Sequence, residues 1–400
     1  MLHKNLLLCE LENRRESFRA FSLAQAHEAG LYSDLLHEMA SSTAEEILEK
    51  LERAEQTGAL PSNEMTGDGS IVRPFGVRWQ NHEEAREWAS KILSRRTTFA
   101  ADGSQIYTEK ETSLPVGAVR IGWFENPHDP EKPFVKDARL EILTSEELFS
   151  EDNGTADPES RIGERRFRLE VERVGEFLES CRGWQEQGER MPLAFFDGTL
   201  LVSFSLPQTR LQKSFIDAMV GLVRLSEETR VPVVGYIDRS LSRDLINLLT
   251  AYGGIEENRG ASVTDAFLLS SLTGVMSGWG DRTCFFNSNR KGMGAFVDPE
   301  TGVSRVGFCY LRTSSSGPPA RLDIPRWVAE AGLLDELADI VRAECVVGIG
   351  YPYPIETADQ TALISSRDRQ VFLKALQEFA VREELNFSVT RKDASKARRR

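Results

Sequence analysis

The chain has 400 residues, 40% of them hydrophobic and 28% charged, with 62 acidic against 49 basic side chains and a formal net charge of -13. Apolar material is ample for a core, which excludes a disordered or fibrous chain, and the acidic balance argues against a protein that coats nucleic acid over its whole surface. Five scattered cysteines with no CxxC pair argue against a disulfide frame or zinc site and for a reducing compartment.

No apolar run approaches the roughly 18 residues of a membrane span. The run Leu6-Leu7-Leu8-Cys9 is too short for a signal peptide. A cytoplasmic protein without membrane contact is therefore expected.

Residues 15 to about 57 read as helix. Phe18, Phe21, Ala24, Leu31, Leu35, Leu36 and Met39 recur at helical spacing, and Ala44, Ile47, Leu48 and Leu51 do the same. These long charged helices either form a solvated hairpin or pack on a partner or a second copy. Turn residues make 60–70 a loop. Asn81 to Leu93 is a helix with Asn81 as N-cap. Arg95 and Arg96 follow, placed either to meet phosphate or to cap that helix.

The stretch Thr97 to Tyr107 then carries Asp102-Gly103-Ser104 after a short apolar strand. Strands at Val116–Phe124 and Ala138–Leu143, separated by a proline-rich loop, complete an antiparallel meander, which the loop 151–160 ends. Arg161 to Cys181 is a helix. Pro192 to Leu200 repeats the earlier design, with Asp197-Gly198 after an apolar strand.

Beyond it the pattern alternates. A helix over 208–228, a strand over 231–237 and a helix over 242–252 are followed by strand candidates at 283–287, 294–297, 306–311 and 345–349. Helices over 355–365 and 367–384 and a basic tail close the chain. A meander followed by alternation predicts a mixed α/β sheet flanked by helices, with its late strands parallel to the first. The expected organisation is a helical extension over 1–93, a main domain over 94–385 and a tail over 386–400.

A carboxylate on a strand that buries its neighbours is costly unless a metal or hydrogen-bond network compensates it. The glycine after it lets the backbone bend close to a ligand. Two such strands side by side would hold Asp102 and Asp197 at one end of one sheet, which outlines a divalent-metal site. On the helix 161–181, Val171, Val174, Phe177, Leu178 and Cys181 share the apolar face. Glu170 falls on that face and Glu172 points away, so Glu170 is the expected third ligand. The alternative is an edge residue paired with Arg166 or Arg173.

The fourth candidate is Asp359, placed in the first turn of the helix that follows the rigid Gly350-Tyr351-Pro352-Tyr353-Pro354 loop. The partial positive charge of a helix N-terminus is by itself a sufficient structural explanation for an acid there. Two hard divalent ions about 3.5–4 Å apart need several carboxylates; together they activate a water and stabilise the leaving oxygen of a phosphodiester. Asp, Glu and Asp in this order resemble the ribonuclease-H-like nuclease core, in which a fourth acid or histidine comes from a late helix.

Over roughly residues 97 to 370 the sequence resembles the NurA nuclease family. The markers are Asp102-Gly103-Ser104, Asp197-Gly198-Thr199-Leu200, Gly235-Tyr236-Ile237-Asp238-Arg239-Ser240 and the stretch from Gly350 to Ala362. The resemblance implies a Mn²⁺- or Mg²⁺-dependent deoxyribonuclease, a 5'-3' exonuclease, single-strand endonuclease or both. It implies a homodimer that processes DNA ends with a HerA-type hexameric ATPase. It implies Asp102, Glu170, Asp197 and Asp359 as catalytic metal ligands. Many members have His at the position of Asp359 and Lys at that of Asp238; the adjacent Arg239 is then the candidate for steadying the phosphate. A catalytically degenerate clamp that binds DNA or the translocase is the alternative. No GxxxxGK[ST], HExxH or GxSxG motif is present, so any ATPase must be a separate chain.

Overall fold

In chain order the helices are α1 (Lys4–Asn13), α2 (Arg15–Ala40), α3 (Ala44–Leu51), α4 (His82–Leu93), α5 (Ser145–Phe149), α6 (Pro158–Ser180), α7 (Arg210–Thr229), α8 (Asp244–Tyr252), α9 (Asp265–Leu268), α10 (Arg326–Glu330), α11 (Leu334–Val347), α12 (Tyr353–Ala362) and α13 (Ser366–Arg382). The strands are β1 (Gly58–Pro61), β2 (Val72–Arg73), β3 (Thr98–Tyr107), β4 (Gly117–Asn126), β5 (Val135–Leu143), β6 (Leu193–Asp197), β7 (Val233–Ile237), β8 (Arg282–Thr283), β9 (Phe286–Asn289), β10 (Val306–Leu311) and β11 (Ala320–Pro325). The computed structural model describes residues 3–388, apart from 53, 55, 109, 111, 150–156, 203–208, 256–262, 271–273 and 315–316. Most of the expected basic tail and much of the 151–160 loop lie outside the described residues.

The chain divides into two compact units, Met1–Arg78 with Tyr236–Ala329, and Trp79–Gly235 with Glu330–Arg400. In the first, antiparallel strands run in the order β1–β9–β10–β11, with β8 on β10 and β2 on β8. Its core joins the C-terminal half of α2, α3 and α8 to Phe286, Phe308 and Tyr310. A buried ion network crosses it, in which Arg321 donates to Asp244 and Asp323, each at 2.7 Å. Helix α1 buries nothing, and Phe18, Phe21 and Leu31 stay exposed; burial in α2 begins at Ala29.

In the second unit the strand order is β7–β6–β3–β4–β5. Strands β3, β4 and β5 form the antiparallel meander, paired from Thr98↔Asn126 to Tyr107↔Gly117 and from Gly117↔Leu143 to Glu125↔Val135. Strand β6 runs parallel to β3, from Thr98↔Leu193 to Ala101↔Phe196. A first strand held between its own meander and a later parallel strand is the ribonuclease-H-like, mixed α/β arrangement that the sequence leads one to expect.

Alternation along β3 assigns its two faces. Phe99 stacks on Phe177 of α6, with ring centroids 4.6 Å apart. Thr98 and Ser104, of opposite parity, donate to Glu344 of α11 and to the Ala362 carbonyl of α12. Helix α6 therefore covers one face and α11 and α12 the other. Glu344 is fully buried; its Oε1 accepts from Thr98 at 2.7 Å and lies 3.4 Å from Nε2 of His128. Burial pushes the Glu344 carboxyl up to about 8, against the pull of the Thr98 hydroxyl. Burial also lowers the His128 imidazole, so the two meet as neutral groups.

Several elements differ from the sequence reading. The expected strand over 345–349 is the end of α11, because a buried face running from Leu334 through Leu337, Val341 and Cys345 has helical period and overrides the local β-branched run. The expected strand over 294–297 is a 3-10 turn, Gly294–Phe296. The 60–70 segment read as loop begins inside β1. The long N-terminal helix is broken at residues 41–43, where the Thr43 hydroxyl and Glu46 form a capping box that starts α3.

Candidate active site

Asp102 lies in the middle of β3, not at its end as the sequence reading has it. Only the pairing with β6 stops there; β3 runs on beside β4 to Tyr107. Ala101 and Phe196 are the last β3–β6 partners, so Asp102 and Asp197 are the next residue on each of two adjacent parallel strands. Such strands are about 4.8 Å apart. Phe196 packs on Phe167 of α6, so Asp197, like Asp102, faces away from α6.

Helix α12 supplies the third acid on that face. Gly122, opposite Asp102 on β4, makes room for it: a Cβ there would fall 2.6 Å from the Thr361 carbonyl carbon. Asp359 is the seventh residue of α12, beyond the first turn in which the sequence reading places it. The helix starts at Tyr353 because Pro354 needs no hydrogen-bond partner in the first turn. The helix-terminus explanation for this acid therefore lapses, since the dipole effect fades within that turn.

Glu170 comes from α6. The helix is started by Asp157, whose carboxylate accepts from the Ser160 amide and hydroxyl, with Pro158 next in line. Glu170 is 4% exposed, on the face that also buries Val171, Val174, Phe177 and Leu178. Glu172 is exposed and pairs with Arg165 and Arg168. Arg166, one turn before Glu170, donates from Nη1 to the Gly103 carbonyl at 3.1 Å and to Glu170 Oε2 at 3.4 Å. The pairing with Arg166 that the sequence offered as an alternative for Glu170 thus exists, within the acidic cluster.

The acids act on one another. Burial raises the Asp102 carboxyl to about 6, helped by Asp359 and Asp197 and opposed by the Gly103 amide and Arg166. Burial raises Glu170 to about 8, with Arg166 opposing and Asp102 and Asp197 adding to the rise. Asp197 is also raised, by desolvation first and by Asp359, while a hydrogen bond from Tyr351 opposes this. The Tyr351 hydroxyl donates to Asp197 Oδ1 at 3.1 Å.

All four acids named from the sequence therefore belong to one unit and join one electrostatic cluster. Arg239 belongs to the other unit, on an exposed turn after β7. Tyr351 was missed: its motif reads as a rigid loop, and no spacing rule says where that loop delivers a hydroxyl. Arg166 was visible only as a partner for Glu170, four residues on.

Among the described residues, no group of three or more His, Cys, Asp or Glu side chains is disposed as a ready metal cage. The donor set still fits a hard divalent cation. Its oxygens are the ligand type that Mg²⁺ and Mn²⁺ take, and acids that raise one another's proton affinity are short of positive charge.

A family model described as the NurA domain matches residues 96–364. No curated protein gives a significant match. Among solved structures, an endonuclease V from Bacillus subtilis is 12% identical, with 76% of this chain and 97% of that one covered and a TM-score of 0.31. The C-terminal lobe of a budding yeast Argonaute is 13% identical, with 73% and 51% covered and a TM-score of 0.27. At these scores the fold assignment rests on the strand order of the chain itself. Among the described residues, no helix is long and apolar enough to cross a membrane.

Proposed function

The chain belongs to the NurA domain family, a family of nucleases, and from that premise we propose that it is a metal-dependent DNA nuclease that hydrolyses phosphodiesters at DNA ends. The observation that carries this reading is the convergence of Asp102, Glu170, Asp197 and Asp359: burial first, and then neighbouring carboxylates, hold the Asp102, Glu170 and Asp197 carboxyls up and leave positive charge wanting. These four would hold Mn²⁺ or Mg²⁺, which when bound supplies an activated water and stabilises charge on the leaving oxygen. Asp102 and Asp197 fix the base of the site through rigid strands. Glu170 enters from α6 and Asp359 from α12. Tyr351 holds Asp197 in one rotamer through its hydroxyl.

A HerA-type hexameric ATPase is the partner that family membership suggests; with no phosphate loop in this sequence, it would be a separate chain. A homodimer is proposed as well. A net charge of -13 makes a single chain a poor DNA ligand, and two copies could pool their basic residues around one channel. Helix α1 and the start of α2 leave Leu6, Leu23, Phe18 and Phe21 in water, between 56% and 73% exposed, which suits a contact with a second copy.

Incubation of end-labelled linear DNA with the purified chain and Mn²⁺, Mg²⁺ or EDTA tests the reading. Cleavage with metal and none with EDTA is expected, with more when the ATPase is added. Intact DNA under every metal condition would overturn the enzyme and leave the clamp. Light scattering that gives a monomer at micromolar concentration would remove the dimer.

A further inference from the structure

Resting on the nuclease reading above, we propose that Arg166 contacts the DNA phosphate directly, in the role for which the sequence nominates Arg239. Three observations lead there. The first is its path. A Cβ on Gly103 would lie 2.7 Å from Arg166 Cγ and 3.2 Å from Cδ. The side chain therefore reaches the acids by crossing a backbone position kept bare, which gives the glycine of the first Asp-Gly pair a purpose of its own.

The second is its hydrogen bonding. An arginine has five N–H donors in a planar fork. The described hydrogen bonds of Arg166 both leave from Nη1, to Gly103 and Glu170. At 3.4 Å the Glu170 contact is longer than the roughly 2.7–2.9 Å of a strong charge-assisted bond and uses one nitrogen only. The Nε and Nη2 hydrogens have no protein acceptor among the described residues, and the side chain is 33% exposed. A phosphate offers two parallel acceptors to that fork and would complete it.

The third is contrast with three other arginines of α6. Arg165 donates to both oxygens of Glu141, at 2.6 and 2.8 Å. Arg168 pairs with Glu164 and Glu172. Arg173 pairs with Glu176 and lies over the rings of Phe99 and Trp123, 4.8 and 4.6 Å from their centroids. Of the four, Arg166 combines spare donors with a seat among the site acids.

The test compares Arg166→Gln, Arg166→Lys and Arg168→Gln. Binding of a fluorescent single-stranded oligonucleotide is read by anisotropy in Ca²⁺, and cleavage in Mn²⁺. Arg166→Gln should weaken binding about tenfold, as expected for a lost charge-assisted contact, and lower kcat/KM about 100-fold. Arg166→Lys should recover only part, because an ammonium cannot span two oxygens. Arg168→Gln should stay within about twofold of wild type in both, since Arg168 is itself exposed and its contacts with Glu164 and Glu172, at 3.8 and 3.6 Å, are loose.

A neutral methylphosphonate at the mapped cleavage position supplies a readout that a merely structural role would not move. It should slow the wild type strongly and Arg166→Gln little further. Should Arg166→Gln fail to fold, the same comparison is made with Arg166→Lys. Independent, multiplying effects of variant and methylphosphonate would overturn the proposal, as would a folded Arg166→Gln within twofold of wild type in binding. If the wild type cuts nothing, the nuclease reading falls, and the anisotropy comparison alone decides whether Arg166 meets phosphate.

Discussion

Tyr351 donates its hydroxyl to Asp197 Oδ1 at 3.1 Å, tying an acid exposed at the tip of β6 to the loop that leads into α12. An outer residue that orients a ligand typically costs about 10–100-fold in affinity or activity when removed. Tyr351→Phe should therefore lower DNA cleavage by about that factor and weaken Mn²⁺ binding in calorimetry, with little change in melting temperature. Wild-type metal affinity and rate in the variant would show that the hydroxyl does not position Asp197.

Asp102→Asn and Asp197→Asn should each abolish cleavage. Without metal, each should also melt at or above the wild-type temperature, because the substitution removes one of several mutually repelling charges. Cleavage assays beside thermal melts in EDTA check both halves. A variant that still cuts at the wild-type rate takes its residue out of the site.

Glu170→Gln should cost far more activity than Glu172→Gln, about 100-fold against less than twofold. The first acid is buried in the cluster and the second sits in surface pairs, which contribute little. Equal, mild losses in a parallel kinetic series would move the third ligand elsewhere on α6.

The raised acids also set a pH dependence. Asp102 lies near 6 and Glu170 near 8, so at pH 6 Glu170 is largely and Asp102 partly protonated, and a cation must displace those protons. Metal affinity should rise from pH 6 to pH 8, and titration in buffers of different ionisation enthalpy should report proton release. A flat affinity over that range would contradict the description of the cluster.

Glu344 predicts a stability profile independent of activity. Its folded carboxyl binds protons more tightly, near 8, than an unfolded glutamate at about 4.5, so the folded state loses stability as pH rises between those values. Glu344→Gln should remove most of that slope and be more stable than wild type at pH 8, by a few kcal/mol at most, since its amide oxygen can still accept from Thr98. Glu344→Ala should be less stable than wild type at pH 5, because it leaves buried polar groups unpaired. Urea unfolding at pH 5 and pH 8 checks the signs; parallel profiles for wild type and Gln would refute them.

What the sequence made legible follows from which forces are local. The helical phase of α6 is written in Val171, Val174, Phe177 and Leu178, so the burial of Glu170 could be read from spacing. The two Asp-Gly pairs followed apolar runs long enough to be strands. Strand β11 escaped notice because its core-facing residues include Arg321 and Asp323, charges that belong inside only when paired with each other and with Asp244. No window of sequence contains that network. The run at Cys345 misled for the opposite reason: its β-branched residues are only the visible end of a helix fixed by Leu334 and Leu337. The sequence could not carry the Tyr351 contact at all, because it depends on where α12 lands on the sheet.

That landing is governed by Gly122, which has no functional group to contribute. A bare position on β4 works like a hinge leaf mounted flush with its frame: the helix closes fully only because nothing stands proud beneath it. A single methyl group would act as a shim, tilting α12 outward and lifting Asp359 from its two strand-borne neighbours while every acid kept its chemistry. The reach of the fourth carboxylate is thus written at a residue that carries no side chain at all.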